Sequence, residues 1–194
     1  MSYHFKGSKV LGSPRGAAAV EFAFIMPLLF VIVFAIIDFG RLGHARLVVT
    51  NVSREAANLA SRYRDIDIQK EADDLLYLLI ASGTPLDLDQ NGKIVITKIC
   101  AGASSENQDP VIAVQRSRGS LSVGSSLVGG QLGLSEPMYD HLVFKEDNQT
   151  SDISEITVAE VFYKYRPITP LPNFIEGILL THGDGIIIGS KSVF

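Results

Sequence analysis

One carboxylate, Glu21, stands in a stretch that otherwise holds no charge: residues 17 to 37 read AAAVEFAFIMPLLFVIVFAII. An ionised carboxylate in hydrocarbon is costly unless it is paired or neutralised. The positions one helical turn away (17, 18, 24 and 25) are Ala, Ala, Phe and Ile, and none can pair with it. Two chemistries would answer that cost. Hydrolysis of the Gly16–Ala17 bond would create an α-amino cation at Ala17, able to neutralise Glu21 of the same or of a neighbouring subunit. In an uncut helix the carboxylate would instead snorkel to the interface. The residues by themselves leave both open.

Elsewhere the reactive side chains are scattered. His4, His44, His141 and His182 occur singly, with no metal-ligand spacing such as H-E-x-x-H. His182-Gly183-Asp184-Gly185 reads as a polar turn. Asp87-Leu88-Asp89 and Glu146-Asp147-Asn148 read as solvated turns, since neither has the ligand set of a calcium loop. Cys100 is the single cysteine; it makes no internal disulfide and reads as a small buried apolar side chain. The Gly/Ser-rich stretch 119–135 lacks the ending of a phosphate loop, and no G-x-S-x-G elbow is present. Neither enzymatic activity nor a cofactor or metal is expected. Without a basic stripe interleaved with aromatics, a nucleic-acid partner is not expected either.

The elements that must position Glu21 follow from the apolar run. As a helix, its 21 residues span about 30 Å, the thickness of a bilayer's hydrocarbon core. A helix buried in a soluble domain is rarely apolar on every face for so long, so membrane lipid is the expected surrounding. A secretory signal would place small residues after the apolar stretch. Here Gly16, Ala17, Ala18 and Ala19 precede it, and Asp38-Phe39-Gly40-Arg41 follows. The run is therefore built to be kept and a short basic leader to be removed. The chain carries −4 overall; residues 1–16 contribute +3 through Lys6, Lys9 and Arg15, so the remainder is a mildly acidic −7. Flanking cations do not orient the helix, because Arg41, Arg46 and Arg54 balance those three. Pro27 removes a backbone donor within the run, which implies either a kink or a tolerated membrane proline.

Beyond the run, Leu42, Ala45, Val49, Val52, Ala56, Leu59 and Tyr63 step by three and four residues. That is a narrow apolar seam, and it predicts one helix from Ala17 to about Arg64. The seam suits packing on a sheet or a second helix, and equally a coiled-coil homodimer. A second helix is predicted from Ile68 to Ala81, stopped by Ser82-Gly83-Thr84-Pro85. Strands are predicted at Lys93–Cys100, Val111–Arg116, Ile156–Tyr165 and within Gly185–Phe194, with Pro167, Pro170 and Pro172 ending the third. Helices followed by strands and turns give α+β rather than a parallel α/β sheet.

Arg15-Gly16-Ala17-Ala18-Ala19-Val20-Glu21-Phe22, then Met26-Pro27-Leu28-Leu29, Asp38-Phe39-Gly40-Arg41 and Thr50-Asn51-Val52-Ser53-Arg54-Glu55-Ala56-Ala57, resemble the TadE-like family. These are minor prepilins, or pseudopilins, of Flp (tight adherence, Tad) type IV pili. The resemblance covers residues 15 to 57, with a weaker echo at Val158–Ile168. It implies that a prepilin peptidase cuts between Gly16 and Ala17 and leaves Glu21 fifth in the mature chain. It also implies that Ala17, Glu21 and Phe22 contact other subunits. The division it implies is a leader at 1–16, a transmembrane helix at 17–37 and an extracytoplasmic body at 38–194: a long helix packed on a small antiparallel sheet. The expected setting is the inner membrane, crossed once, with the body on the periplasmic or extracellular side or within the fibre. The expected role is pilus assembly and adhesion, with other pilin and minor pilin subunits and the inner-membrane assembly platform as partners. One alternative is an uncleaved, membrane-anchored envelope protein whose body is enzymatic or binds a ligand. Another is an adhesin at the fibre tip, for which the 119–135 loop would be a contact site.

Overall fold

In a computed structural model the described residues are 14–62, 69–104, 106–127, 132–145, 151–170 and 185–194. Helix α1, Pro14–Arg62, holds 49 residues and runs unbroken through Pro27 and past Asp38. Leu, Ala and Arg dominate its later half, and no glycine follows Gly43 before its end, so nothing there weakens the helix. It starts slightly earlier than the apolar pattern predicts, while the proposed end at Arg64 and the seam position Tyr63 lie outside the described residues.

Helix α2, Gln69–Ser82, buries Leu75, Leu76 and Leu79 and turns Asp73 and Asp74 to solvent. It ends one residue later than predicted, and its predicted first residue, Ile68, is outside the described set. A one-turn helix, α3 (Leu88–Asn91), then corrects the reading of Asp87-Leu88-Asp89 as a solvated turn. Asp87 caps it by accepting from the Gln90 amide at 3.2 Å, and Leu88 is fully buried.

Strands β1 (Gly92–Cys100), β2 (Val111–Arg118), β3 (Glu155–Tyr165) and β4 (Ile186–Val193) form one antiparallel sheet in the order β2-β1-β3-β4. All four were legible as strands, although β2 extends two residues further than its pattern predicts. Helix α4, Glu136–Leu142, was not foreseen. Its short apolar content, Met138 and Leu142, is too sparse to show a helical period.

Along β3, side chains from Ile156 to Val161 are buried without alternation, because this central strand is covered on both faces. On one face lie α1 and α2. Ala45, Val49, Val52, Ala56, Ala57 and Ala60 of α1 pack with Leu75, Leu76 and Leu79, with Ile94 and Ile96 of β1, and with Ala159, Val161 and Tyr165 of β3. The seam therefore docks on the sheet, chiefly over β3 and β4. Its buried face is used up within the chain, which leaves it unavailable for the coiled-coil alternative.

On the opposite face, residues 119–127, the turn before α4 and α4 itself cover Ile99, Ile156 and Val158 with Leu127, Leu134 and Leu142. The Gly/Ser-rich stretch is thus irregular, as expected, yet its described part is packed down rather than free. Gly119 begins the crossing with φ 118°, where a side chain would also collide with the Gly92 carbonyl oxygen. Lys93 then donates to the Val123 carbonyl at 2.8 Å, and the Leu121 amide to Gly92 at 3.1 Å. The expected Glu146-Asp147-Asn148 turn falls outside the described residues, as does the expected His182-Gly183-Asp184-Gly185 turn apart from Gly185. Cys100, at the end of β1, is a half-buried free thiol rather than a sealed one.

Candidate functional site

From Gly16 to Ile37 nothing in α1 is fully buried. Val20, Phe22, Phe24, Ile25, Leu28 and Ile36 are among its exposed large apolar side chains, and Phe30 stacks on Phe34 within the helix at 6.0 Å. Exposure of this many apolar groups on every side is the physics of a segment meant for hydrocarbon or for other helices. The helix is long and apolar enough to cross a membrane.

Gly16, Ala17, Glu21 and Phe22 all lie exposed in the first turns of this helix. Ala17 and Glu21 are four residues apart, which puts them on one helical face. Among the described residues Glu21 has no ion-pair partner. The Glu21 carboxylate and the Gly16–Ala17 bond thus sit on exposed residues of the apolar half. Pro27 sits exposed in the middle of the apolar half.

Where the apolar run ends, a second constellation fixes the helix to the body. The Asp38 carboxylate accepts from the Ile168 amide at 3.2 Å, the Thr169 amide at 3.4 Å and the Thr169 hydroxyl. The Tyr165 hydroxyl donates to the Asp38 main-chain carbonyl at 3.0 Å. Burial pushes the Tyr165 phenol above its ordinary pKa, and the Asp38 charge pushes the same way against an opposing effect of Arg41. Pro167 and Pro170 stop the strand just past Tyr165, so the chain bends back across the helix with two amides aimed at the carboxylate. Sequence reasoning assigned no role to Tyr165, Ile168 or Thr169. The available signal was that Asp38 and Ile168 each lay in a stretch with family-like residues; the fold joins those two stretches.

Higher up, Ser53 of α1 is fully buried, with its hydroxyl 2.9 Å from those of Ser190 and Ser192 on β4. Small residues at this crossing let helix and strand approach closely, and the hydroxyls satisfy one another.

Residues 16–58 match the family described as TadE-like protein. Neither the curated proteins nor the solved structures compared with the chain gives a match. The matched stretch is α1 almost to its end, so it contains the exposed apolar half, the Asp38 junction and most of the docked seam. The chain thus carries a TadE-like segment. Among the described residues one helix is long and apolar enough to span a membrane, which fits a membrane-anchored, pilin-like protein, and the TadE-like match implies pilus components as the general class of partner.

Proposed function

With the TadE-like segment as premise, we propose that the chain is a minor pilin or pseudopilin of a Tad pilus, processed by a prepilin peptidase and active in pilus assembly. The carrying observation is Glu21 together with the bond that precedes it. A carboxylate lies exposed in an apolar helix without an ion-pair partner among the described residues, four positions after a bond flanked by Arg15 and small residues.

Cleavage between Gly16 and Ala17 supplies the missing cation. The new α-amino group at Ala17 neutralises Glu21 of an adjacent subunit, so the helix leaves lipid only for a site where its charge is matched. Phe22 packs beside that pair, and Pro27 lets the helix adjust to its neighbours. Residues 1–16 act as the leader, 17–37 as the membrane helix and 38–194 as the body. The body faces the periplasm or exterior, and the assembly platform of the inner membrane receives the helix. A contribution to adhesion follows from membership of the fibre.

The deciding experiment is intact mass and amino-terminal sequencing of the protein from its native cell. A mature chain beginning at Ala17, and a longer unprocessed chain in Gly16→Leu, are expected. A start at Met1 or Ser2 in cells with active peptidase overturns the reading. Glu21→Ala is expected to be cleaved normally yet to enter fibres poorly; normal piliation in that variant removes the charge-pair role.

A further inference from the structure

We infer that the body has its own lipid-contacting surface, at the end where α1 leaves the apolar run, and that it rests on the headgroup layer of the membrane holding the helix. This goes beyond the anchoring helix and rests on the reading that residues 17–37 span a bilayer.

Asp38 is the first charged residue after the run. The interfacial layer of a bilayer is about 5–8 Å thick on each side of the hydrocarbon. Whatever is hydrogen-bonded to Asp38 therefore lies inside or against that layer. The Ile168 and Thr169 amides are so bonded, and Tyr165 reaches the Asp38 carbonyl. Strand pairing brings β4 to the same level, since Ile186 lies opposite Tyr165 and Ile187 opposite Lys164.

Three isoleucines at this end are left open: Ile168 is 64% exposed, Ile186 51% and Ile187 54%. Phe39, next to Asp38, is 72% exposed. Arg41, three residues after Asp38, and Arg166, two before Ile168, are exposed too. Exposed isoleucines together with two exposed arginines at the foot of a membrane helix have the chemistry of an interfacial anchor: apolar groups enter the headgroup–acyl boundary while guanidinium groups meet lipid phosphates. Continuity with the apolar helix identifies the occupant, because a bilayer that surrounds Ile37 must also abut residues bonded to its neighbour Asp38.

The chain has no tryptophan, so single tryptophans report position cleanly. The full chain carrying Ile168→Trp or Ile186→Trp is reconstituted in phosphatidylethanolamine–phosphatidylglycerol vesicles with acyl chains brominated near the carboxyl end. Phe30→Trp, within the membrane helix, and Ile153→Trp, at the opposite end of β3, serve as references. Emission from both body positions is expected to drop in brominated relative to plain vesicles, while Ile153→Trp stays unchanged. If Phe30→Trp is quenched and neither body position is, the proposal is overturned and the membrane helix stands. If Phe30→Trp is not quenched either, the spanning reading fails with it. A blue shift at Ile168→Trp that depends on protein density rather than on bromination assigns the surface to a neighbouring subunit and also overturns the proposal.

Discussion

The hydroxyl of Tyr165 donates to the main-chain carbonyl of Asp38 at 3.0 Å, joining the end of β3 to α1 across 127 positions of sequence. With the Asp38 carboxylate held by Ile168 and Thr169, this junction ties α1 to the chain leaving β3. On the proposed reading as a pilus subunit, such coupling would pass force on the body to the helix without a hinge between them.

Replacing Tyr165 by Phe is expected to cost about 1 kcal/mol, the net worth of one partly buried hydrogen bond. The pH dependence carries the sharper signature. Because the phenol's pKa is raised in the fold, its contribution is fully present below the unfolded value of about 10 and is lost as pH rises through the folded value. Denaturant titration in detergent is expected to show the native chain losing stability above about pH 10, with a flatter profile for Tyr165→Phe. Parallel profiles would rule this out.

Asp38→Ala removes every side-chain acceptor at the junction, whereas Asp38→Asn keeps one carbonyl oxygen. The Ala variant is expected to lose roughly 2 kcal/mol and the Asn variant less. Amide hydrogen exchange at Ile168 and Thr169 is the direct readout, and it should quicken most in Asp38→Ala. Unchanged protection there would show that the prolines, not the carboxylate, hold the bend.

At the helix–strand crossing, Ser53→Ala leaves the Ser190 and Ser192 hydroxyls without their helix partner, at a cost of about 1 kcal/mol. Ser53→Leu forces the helix off β4 and is expected to cost about 1–3 kcal/mol. Equal stability of the two variants in chemical denaturation would mean the crossing has room to spare.

On the other face of the sheet, Glu160 is only 1% exposed and accepts from the Ser126 amide at 2.9 Å and from the Ser125 and Ser126 hydroxyls. Glu160→Ala strands those donors and is expected to loosen residues 119–127 at a cost of about 2–3 kcal/mol. Limited proteolysis should then cut this stretch faster, with Glu160→Gln in between. A cutting rate equal to that of the unaltered chain would deny Glu160 its fastening role.

Much of this architecture is written in local pattern. The unbroken apolar run from Ala17 to Ile37, the three-and-four stepping of Leu42 to Leu59, and the β-branched density of Lys93–Cys100 and Ile156–Tyr165 each declare their element without help. Such signals survive because they depend on neighbours close in sequence. The lone carboxylate at Glu21 was equally visible, since its oddity is defined by the side chains within one turn of it.

Other features needed the chain folded. The seam on α1 would serve a sheet or a twin helix equally well, and only the presence of β3 and β4 opposite it decides the matter. Glu160 looks like one more outward polar residue of an alternating strand until residues 119–127 cross above it and seal it from water. The grip of Thr169 and Tyr165 on Asp38 joins residues more than a hundred positions apart. Hydrophobic period is a property of one element, whereas a hydrogen bond between two elements exists only once both have been placed, and that placement belongs to the tertiary structure.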